Sequence, residues 1–130
     1  MIVADASALF QLLDRGGAAA RIEDRLFARA EPICVPHLAD AEIASVLRKH
    51  TLLKRIGVVR AREALQDYLD LPLTRFPHAP LMARAFALRH TMTAYDAFYV
   101  ALAESLSATL VTCDRRLAQA AQATVAVEAF

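Results

Sequence analysis

Short, almost purely apolar runs alternate along this chain with longer segments whose apolar positions recur at helical spacing. Residues 1–4 are apolar throughout and predict a short buried strand. Residues 7–13 have helical composition, and the Gly16-Gly17 pair ends that helix. Residues 18–30 place Ile22, Leu26 and Phe27 at i, i+4 and i+5, the stripe of an amphipathic helix. Residues 32–36 read as a strand bracketed by prolines. From His37 to about Leu53 the pattern is helical again, with Leu38, Ile43, Val46 and Leu47 apolar, and after Gly57 residues 58–69 form a further helix. Residues 71–76 alternate with period two, as a short strand does, and Pro77 and Pro80 open a helix running to about His90.

The last third of the chain is more strongly patterned. Residues 95–106 have hardly any polar face and predict a buried helix. A β-branched strand follows at 108–112, Asp114 opens one more helix to about Gln122, and residues 124–127 read as a closing strand. No repeat, linker or low-complexity tract divides the chain, so residues 1–130 are read as one domain. Strands alternating with helices imply an α/β fold, a parallel sheet covered on both faces and joined by right-handed crossovers. Such sheets bind ligands beyond the carboxyl ends of their strands, where the strand order reverses.

Composition narrows the class. The chain is 57% hydrophobic and 22% charged, with 3 Gly and no Trp, which fits a compact, helix-rich globule. Cys34 and Cys113 belong to no Cys or His cluster of metal-ligand spacing and read as buried free thiols of a reducing compartment. There is no basic leader with a cleavage site, and no apolar run of the roughly 18 residues a membrane span requires. The expectation is a cytoplasmic protein without membrane contact. A net charge of +1 provides no global field toward nucleic acid, so any such binding relies on local patches. The densest basic group, Arg48, Lys49, His50, Lys54 and Arg55, falls where cations complement the end of a helix dipole.

The candidate chemistry lies in four acids. Asp5 follows the first strand and Asp114 the strand at 108–112, each where a strand hands over to a helix. Asp96 stands in Thr93-Ala-Tyr-Asp96, a capping-box pattern, and Glu42 stands beside Asp40 early in its helix. Each alone is explained by helix capping. Together they start helices at what should be one edge of one sheet, and carboxylates that converge there either rise in pKa or share a cation. An all-oxygen set suits Mg²⁺, and the missing Cys or His cluster disfavours zinc. Such a site suits phosphodiester hydrolysis, in which the metal activates water and stabilises phosphoryl charge. The Ser7 and Thr112 hydroxyls, two residues from Asp5 and Asp114, read either as supports for these carboxylates or as local backbone caps.

The runs VADASAL with Asp5, PHLADAEIASVLRK with Glu42, TAYDAFYVALAE with Asp96 and LVTCDRRLA with Asp114 resemble the PIN-domain family, in particular VapC-type toxins of bacterial toxin–antitoxin pairs. The resemblance spans essentially the whole chain, in order. It implies a three-layer α/β/α fold on a parallel sheet of about five strands, and an endoribonuclease dependent on Mg²⁺ or Mn²⁺. It further implies a homodimer neutralised by a VapB-type antitoxin. Carried onto this chain, Asp5, Glu42, Asp96 and Asp114 form the acidic quartet. Asp5, Asp96 and Asp114 hold the metal, Glu42 acts through metal waters or as a base, and Ser7 and Thr112 support. Arg115 and Arg116 read either as RNA-phosphate contacts or as exposed first-turn arginines. The helices at 18–30 and 58–69 are candidates for a dimer interface.

Two rival signalling and hydrolase classes lack their residues. An aspartate-nucleophile phosphohydrolase needs a second aspartate where this chain has Ser7, and a receiver domain needs a late lysine, whereas no lysine follows Lys54. The remaining alternative is a PIN-like module that binds RNA or a protein without cutting.

Overall fold

The computed structural model describes every residue from Met1 to Phe130. Strands β1 (Ile2–Ala4), β2 (Ile33–Pro36), β3 (Leu73–Phe76), β4 (Thr109–Thr112) and β5 (Val127–Ala129) form one sheet in the order β3-β2-β1-β4-β5. Every neighbouring pair is parallel. The helices are α1 (Ala6–Leu13), α2 (Ala19–Phe27), α3 (Leu38–Leu52), α4 (Val58–Asp70), α5 (Met82–Ala87), α6 (Ala94–Leu106) and α7 (Arg115–Ala121). From β1 the chain steps outward through β2 to β3, then returns to the far side of β1 to place β4 and β5. Right-handed crossovers therefore put α1 to α4 on one face of the sheet and α5 to α7 on the other. Helix packing divides the same way, with α1 against α2, α3 and α4, and α5 against α6. This is the expected three-layer α/β/α architecture.

Burial follows position in the sheet. Every residue of β1 and β2 is buried, whereas the edge strands β3 and β5 are partly exposed. A central parallel strand is covered on both faces, which is why those runs lack polar alternation. The alanine-rich α6 packs against β1, β2 and β4 and buries Ala97, Tyr99, Val100, Ala101, Leu102 and Ala103, the small side chains letting it sit close to the sheet.

Three expectations shift. The closing strand lies at Val127–Ala129 rather than 124–127, because the Thr124 and Val125 amides bond back to the Ala121 carbonyl and are unavailable to the ladder. The strand expected over 71–76 begins only at Leu73, since Pro72 has no N–H and the Leu73 amide turns back to the Leu71 carbonyl. The helix expected to reach His90 is a 3₁₀ turn at Ala79–Leu81 followed by α5, after which the Arg89 and Thr91 amides make three-residue turns. At the end of α1 the left-handed residue is Arg15, with φ 54°, and not either glycine of the following pair. Its turn closes through the Gly16 amide on the Gln11 carbonyl at 3.0 Å.

Candidate active site

The order of the sheet reverses between β1 and β4, and the register carries both strand ends to the same edge. Ala4 lies opposite Val111, so Asp5 lies opposite Thr112, and the Asp5 amide bonds the Val111 carbonyl at 3.1 Å. Asp5 is 4% exposed. Its Oδ1 accepts the Ser7 hydroxyl at 2.7 Å and the Ala8 amide at 2.9 Å, while Oδ2 accepts the Thr112 hydroxyl at 2.6 Å. Burial pushes its pKa up, and these three donors oppose that rise. Asp5 is thus both the N-cap of α1 and a clamped carboxylate, with one lone pair of Oδ2 left for a further partner.

The two hydroxyls also work in the opposite direction. The Ser7 oxygen accepts the Cys113 amide at 2.9 Å, and the Thr112 oxygen accepts the Asp114 amide at 2.9 Å. Each therefore joins Asp5 to the turn between β4 and α7. Both expected roles of these residues coexist, since one hydroxyl supports the carboxylate and caps the backbone at once.

Asp114 caps α7 through Oδ1, which accepts the Arg116 and Leu117 amides at 2.8 and 3.1 Å. On α6, Thr93 accepts the Asp96 amide at 3.2 Å, but the Asp96 carboxylate does not return a bond to the Thr93 amide, so the capping box is only half formed. Burial and the charge of Asp114 raise the Asp96 pKa against the opposing Thr93 hydroxyl and Arg116. Glu42, in the second turn of α3, has a buried Oε1 without a hydrogen-bond partner. Burial, and then the charges of Asp5 and Asp96, push its carboxyl up to about 7. Asp40, its neighbour in sequence, faces elsewhere and accepts the Tyr68 hydroxyl at 2.7 Å and Arg75 Nε at 2.9 Å.

Three clefts meet along this edge. One of about 460 Å³ runs between α3 and α6 and includes Glu42, Tyr95 and Asp96. One of about 380 Å³ lies between α1 and α3 and includes Ser7 and Glu42, and a smaller one of about 200 Å³ holds Asp96, Asp114 and Arg116. Glu42 joins the first two and Asp96 joins the first to the third, so Glu42, Asp96 and Asp114 line adjoining clefts, with Asp5 buried behind Ser7. Arg116 belongs to the third cleft, whereas Arg115 is exposed and lines none of the three clefts.

No three acid, His or Cys side chains converge tightly enough to enclose an ion unaided. The donor set nevertheless fits a hydrated hard cation, which takes one or two carboxylates and keeps its waters. The unpartnered Glu42 oxygen and the remaining lone pair of Asp5 are the groups such an ion or its waters would satisfy.

Three residues missed by sequence reasoning support the site. His78 Nε2 accepts the Leu38 amide at 2.8 Å and its ring stacks on Phe98 at 4.5 Å, so it caps α3 while resting on α6. Tyr99, 1% exposed, carries a buried hydroxyl without a partner and feels the charge of Glu42 and Asp5. Its only signal in the sequence is a phenol in a helix where phenylalanine would pack as well. Gln11, in the α1–α3 cleft, had no signal at all.

The chain is similar to known proteins over nearly its whole length. Residues 2–123 match the model of the PIN domain. A VapC ribonuclease of Mycobacterium bovis, Mb0985, and ribonuclease VapC9 of Mycobacterium tuberculosis are each 46% identical over 95% of this chain and 93% of their own. Ribonuclease VapC12 of Mycobacterium tuberculosis is 40% identical over 92% of this chain and 91% of its own. Among solved structures, PAE2754 of Pyrobaculum aerophilum superposes with a TM-score of 0.74 at 28% identity, covering 97% of this chain and 81% of that one. VapBC2 of Rickettsia felis, bound to a promoter DNA fragment, superposes with a TM-score of 0.73 at 16% identity over 98% of both chains and shares the fold. With its strand order, its acid-lined edge and these relatives in agreement, the chain belongs to the PIN domain family.

Proposed function

We propose that the chain is a metal-dependent endoribonuclease and the toxin of a toxin–antitoxin pair. The observation that carries this reading is the acidic edge of the sheet: a clamped, buried Asp5 at the point of strand reversal, with Glu42, Asp96 and Asp114 lining the clefts along the same edge. The VapC ribonucleases at 40% and 46% identity support it.

Asp5, Asp96 and Asp114 are the groups that would hold Mg²⁺, or Mn²⁺ in its place, with Thr112 and Ser7 orienting the Asp5 carboxylate and opposing the rise in pKa that burial imposes on it. When bound, such a cation would supply Lewis acidity toward the phosphoryl oxygens and make the attacking water more acidic. Glu42, unpartnered and with its pKa near neutrality, takes the proton of the attacking water. Water adds to phosphorus in line, the phosphorus–oxygen bond to the leaving ribose breaks and its oxygen takes a proton from solvent, and Arg116 faces the negative charge of the strand.

A VapB-type antitoxin and a second copy of the chain are the protein partners of this reading. They have a surface to use: α4 exposes Val58, Val59, Leu65 and Leu69, and the adjoining end of α3 exposes Leu52 and Leu53. On α2 only Phe27 is comparably exposed, so of the two expected helices α4, with the adjoining end of α3, offers the larger apolar face. No helix is long and apolar enough to cross a membrane. The free thiols Cys34 and Cys113 suit a reducing cytoplasm, the compartment this reading implies.

The test uses the chain purified free of antitoxin, Mg²⁺ and a mixture of structured and unstructured RNA. Wild type should cut, with EDTA abolishing the activity and Asp5→Asn lowering it at least about a hundredfold. Equal cleavage by wild type and Asp5→Asn overturns the assignment. If neither protein cuts while both bind RNA, the chain is instead a PIN-like binding module.

A further inference from the structure

The cleft between α1 and α3 has features that phosphodiester hydrolysis alone does not use. Its walls include Ala6, Phe10, Gln11, Val46 and Cys113, and Ser7 and Glu42 make it continuous with the acids. Its volume of about 380 Å³ falls within the range of clefts that bind small organic groups. The Phe10 ring is braced by the His50 ring 4.8 Å away.

We infer that this pocket receives one base of an unpaired RNA strand beside the scissile phosphate, and that Gln11 reads that base. The inference rests on the nuclease reading above. A nucleotide whose phosphate lies at the acids has its base within reach of a pocket sharing Ser7 and Glu42 with them. An aromatic ring and aliphatic walls accept the faces of any base, and a primary amide offers both a donor and an acceptor to its edge. The pocket cannot be entered by a base held in a duplex, so the substrate is unpaired at the cut.

Gly16 makes the assignment specific. A Cβ at this position would stand 2.0 Å from Gln11 Oε1 and 2.9 Å from its Cδ, so the bare glycine is what allows the amide its place. The neighbouring Gly17 has nothing within 4 Å of its corresponding position. Neither glycine has a positive φ, so alanine fits the backbone at both. Gly16→Ala therefore moves the tip of Gln11 without altering an acid, and Gly17→Ala moves nothing.

The experiment compares wild type, Gln11→Ala, Gly16→Ala and Gly17→Ala on unstructured oligoribonucleotides randomised around the cut, with Mg²⁺, the products being sequenced. Wild type and Gly17→Ala should share one base preference on the same side of the cut. Gln11→Ala and Gly16→Ala should lose about tenfold of that preference. An identical preference in all four, or an equal loss in Gly17→Ala, overturns the inference. So does unchanged preference in Gln11→Ala combined with escape from inhibition by the antitoxin, which makes the pocket a protein-docking site. If wild type cuts nothing, the nuclease reading fails, and the pocket is judged separately by titrating the four nucleoside 5′-monophosphates. A shift of the Gln11 side-chain amide resonance with one of them, absent in Gly16→Ala, then supports the pocket; no shift with any rejects it.

Discussion

Asp5 and Glu42 are both acids at the same edge, and their surroundings give them opposite characters. Three donors satisfy Asp5 in its burial, whereas Glu42 has a buried oxygen with no partner and two charged neighbours. The consequence for stability has a definite sign. With its carboxyl pushed up from 4.5 to about 7, Glu42 binds a proton more tightly in the folded than in the unfolded chain. Stability therefore falls as pH rises through that window and is flat above it. Glu42→Gln should leave stability unchanged near pH 4 and raise it by about 1–2 kcal/mol at pH 8, the partial solvent access of the side chain tempering the effect. Thermal melts of both proteins across pH check this, and equal differences at pH 4 and pH 8 reject it. Excess Mg²⁺ should shrink the gain at pH 8. The acids themselves were legible in the sequence because each stands where a strand meets a helix or a helix begins. The difference between Asp5 and Glu42 was not legible, because the donors to Asp5 come partly from Thr112 and the isolation of Glu42 depends on how α6 packs.

Helix α3 carries Glu42, yet neither its own N-cap residue nor its first turn holds its start. His37 makes no side-chain cap, and the Leu38 amide is bonded by His78 from the segment after β3. An acceptor that arrives from 40 residues away leaves no local pattern, which is why the capping of α3 was invisible in the sequence. His78→Ala should cost about 1 kcal/mol, typical of a lost cap. It should also speed hydrogen exchange at the Leu38 amide and lower cleavage by loosening Glu42. Unchanged exchange at Leu38 would show that another group caps the helix. The displaced β5 has the same lesson in reverse. Apolar, β-branched residues at 124–127 have strand character, but the end of α7 takes the amides of Thr124 and Val125 first, and pairing starts only beyond them.

At the scale of the molecule, the sheet order decides which residues meet, and the surface decides what the molecule meets. The exposed row on α4 and the end of α3 predicts association through the hairpin face. Wild type should sediment as a dimer at micromolar concentration, and Val59→Lys combined with Leu69→Lys should sediment as a monomer; a monomeric wild type, or an unaltered variant, rejects that face. Inside, the reversal between β1 and β4 unites residues far apart in the chain, Asp5 with Thr112 across 107 positions. No shorter stretch than residues 5–114 contains all four acids and both hydroxyls. The first strand has one of its two neighbours only when β4 is present, and loop closure over that span is among the slower contacts a small domain makes. A growing chain on the ribosome thus carries Asp5 from the outset but has no complete site until most of the domain has emerged. Fragments interrupted before β4 have neither the Thr112 donor nor Asp114, so for a nuclease made amid its maker's own RNA, the topology works as a delay on its danger.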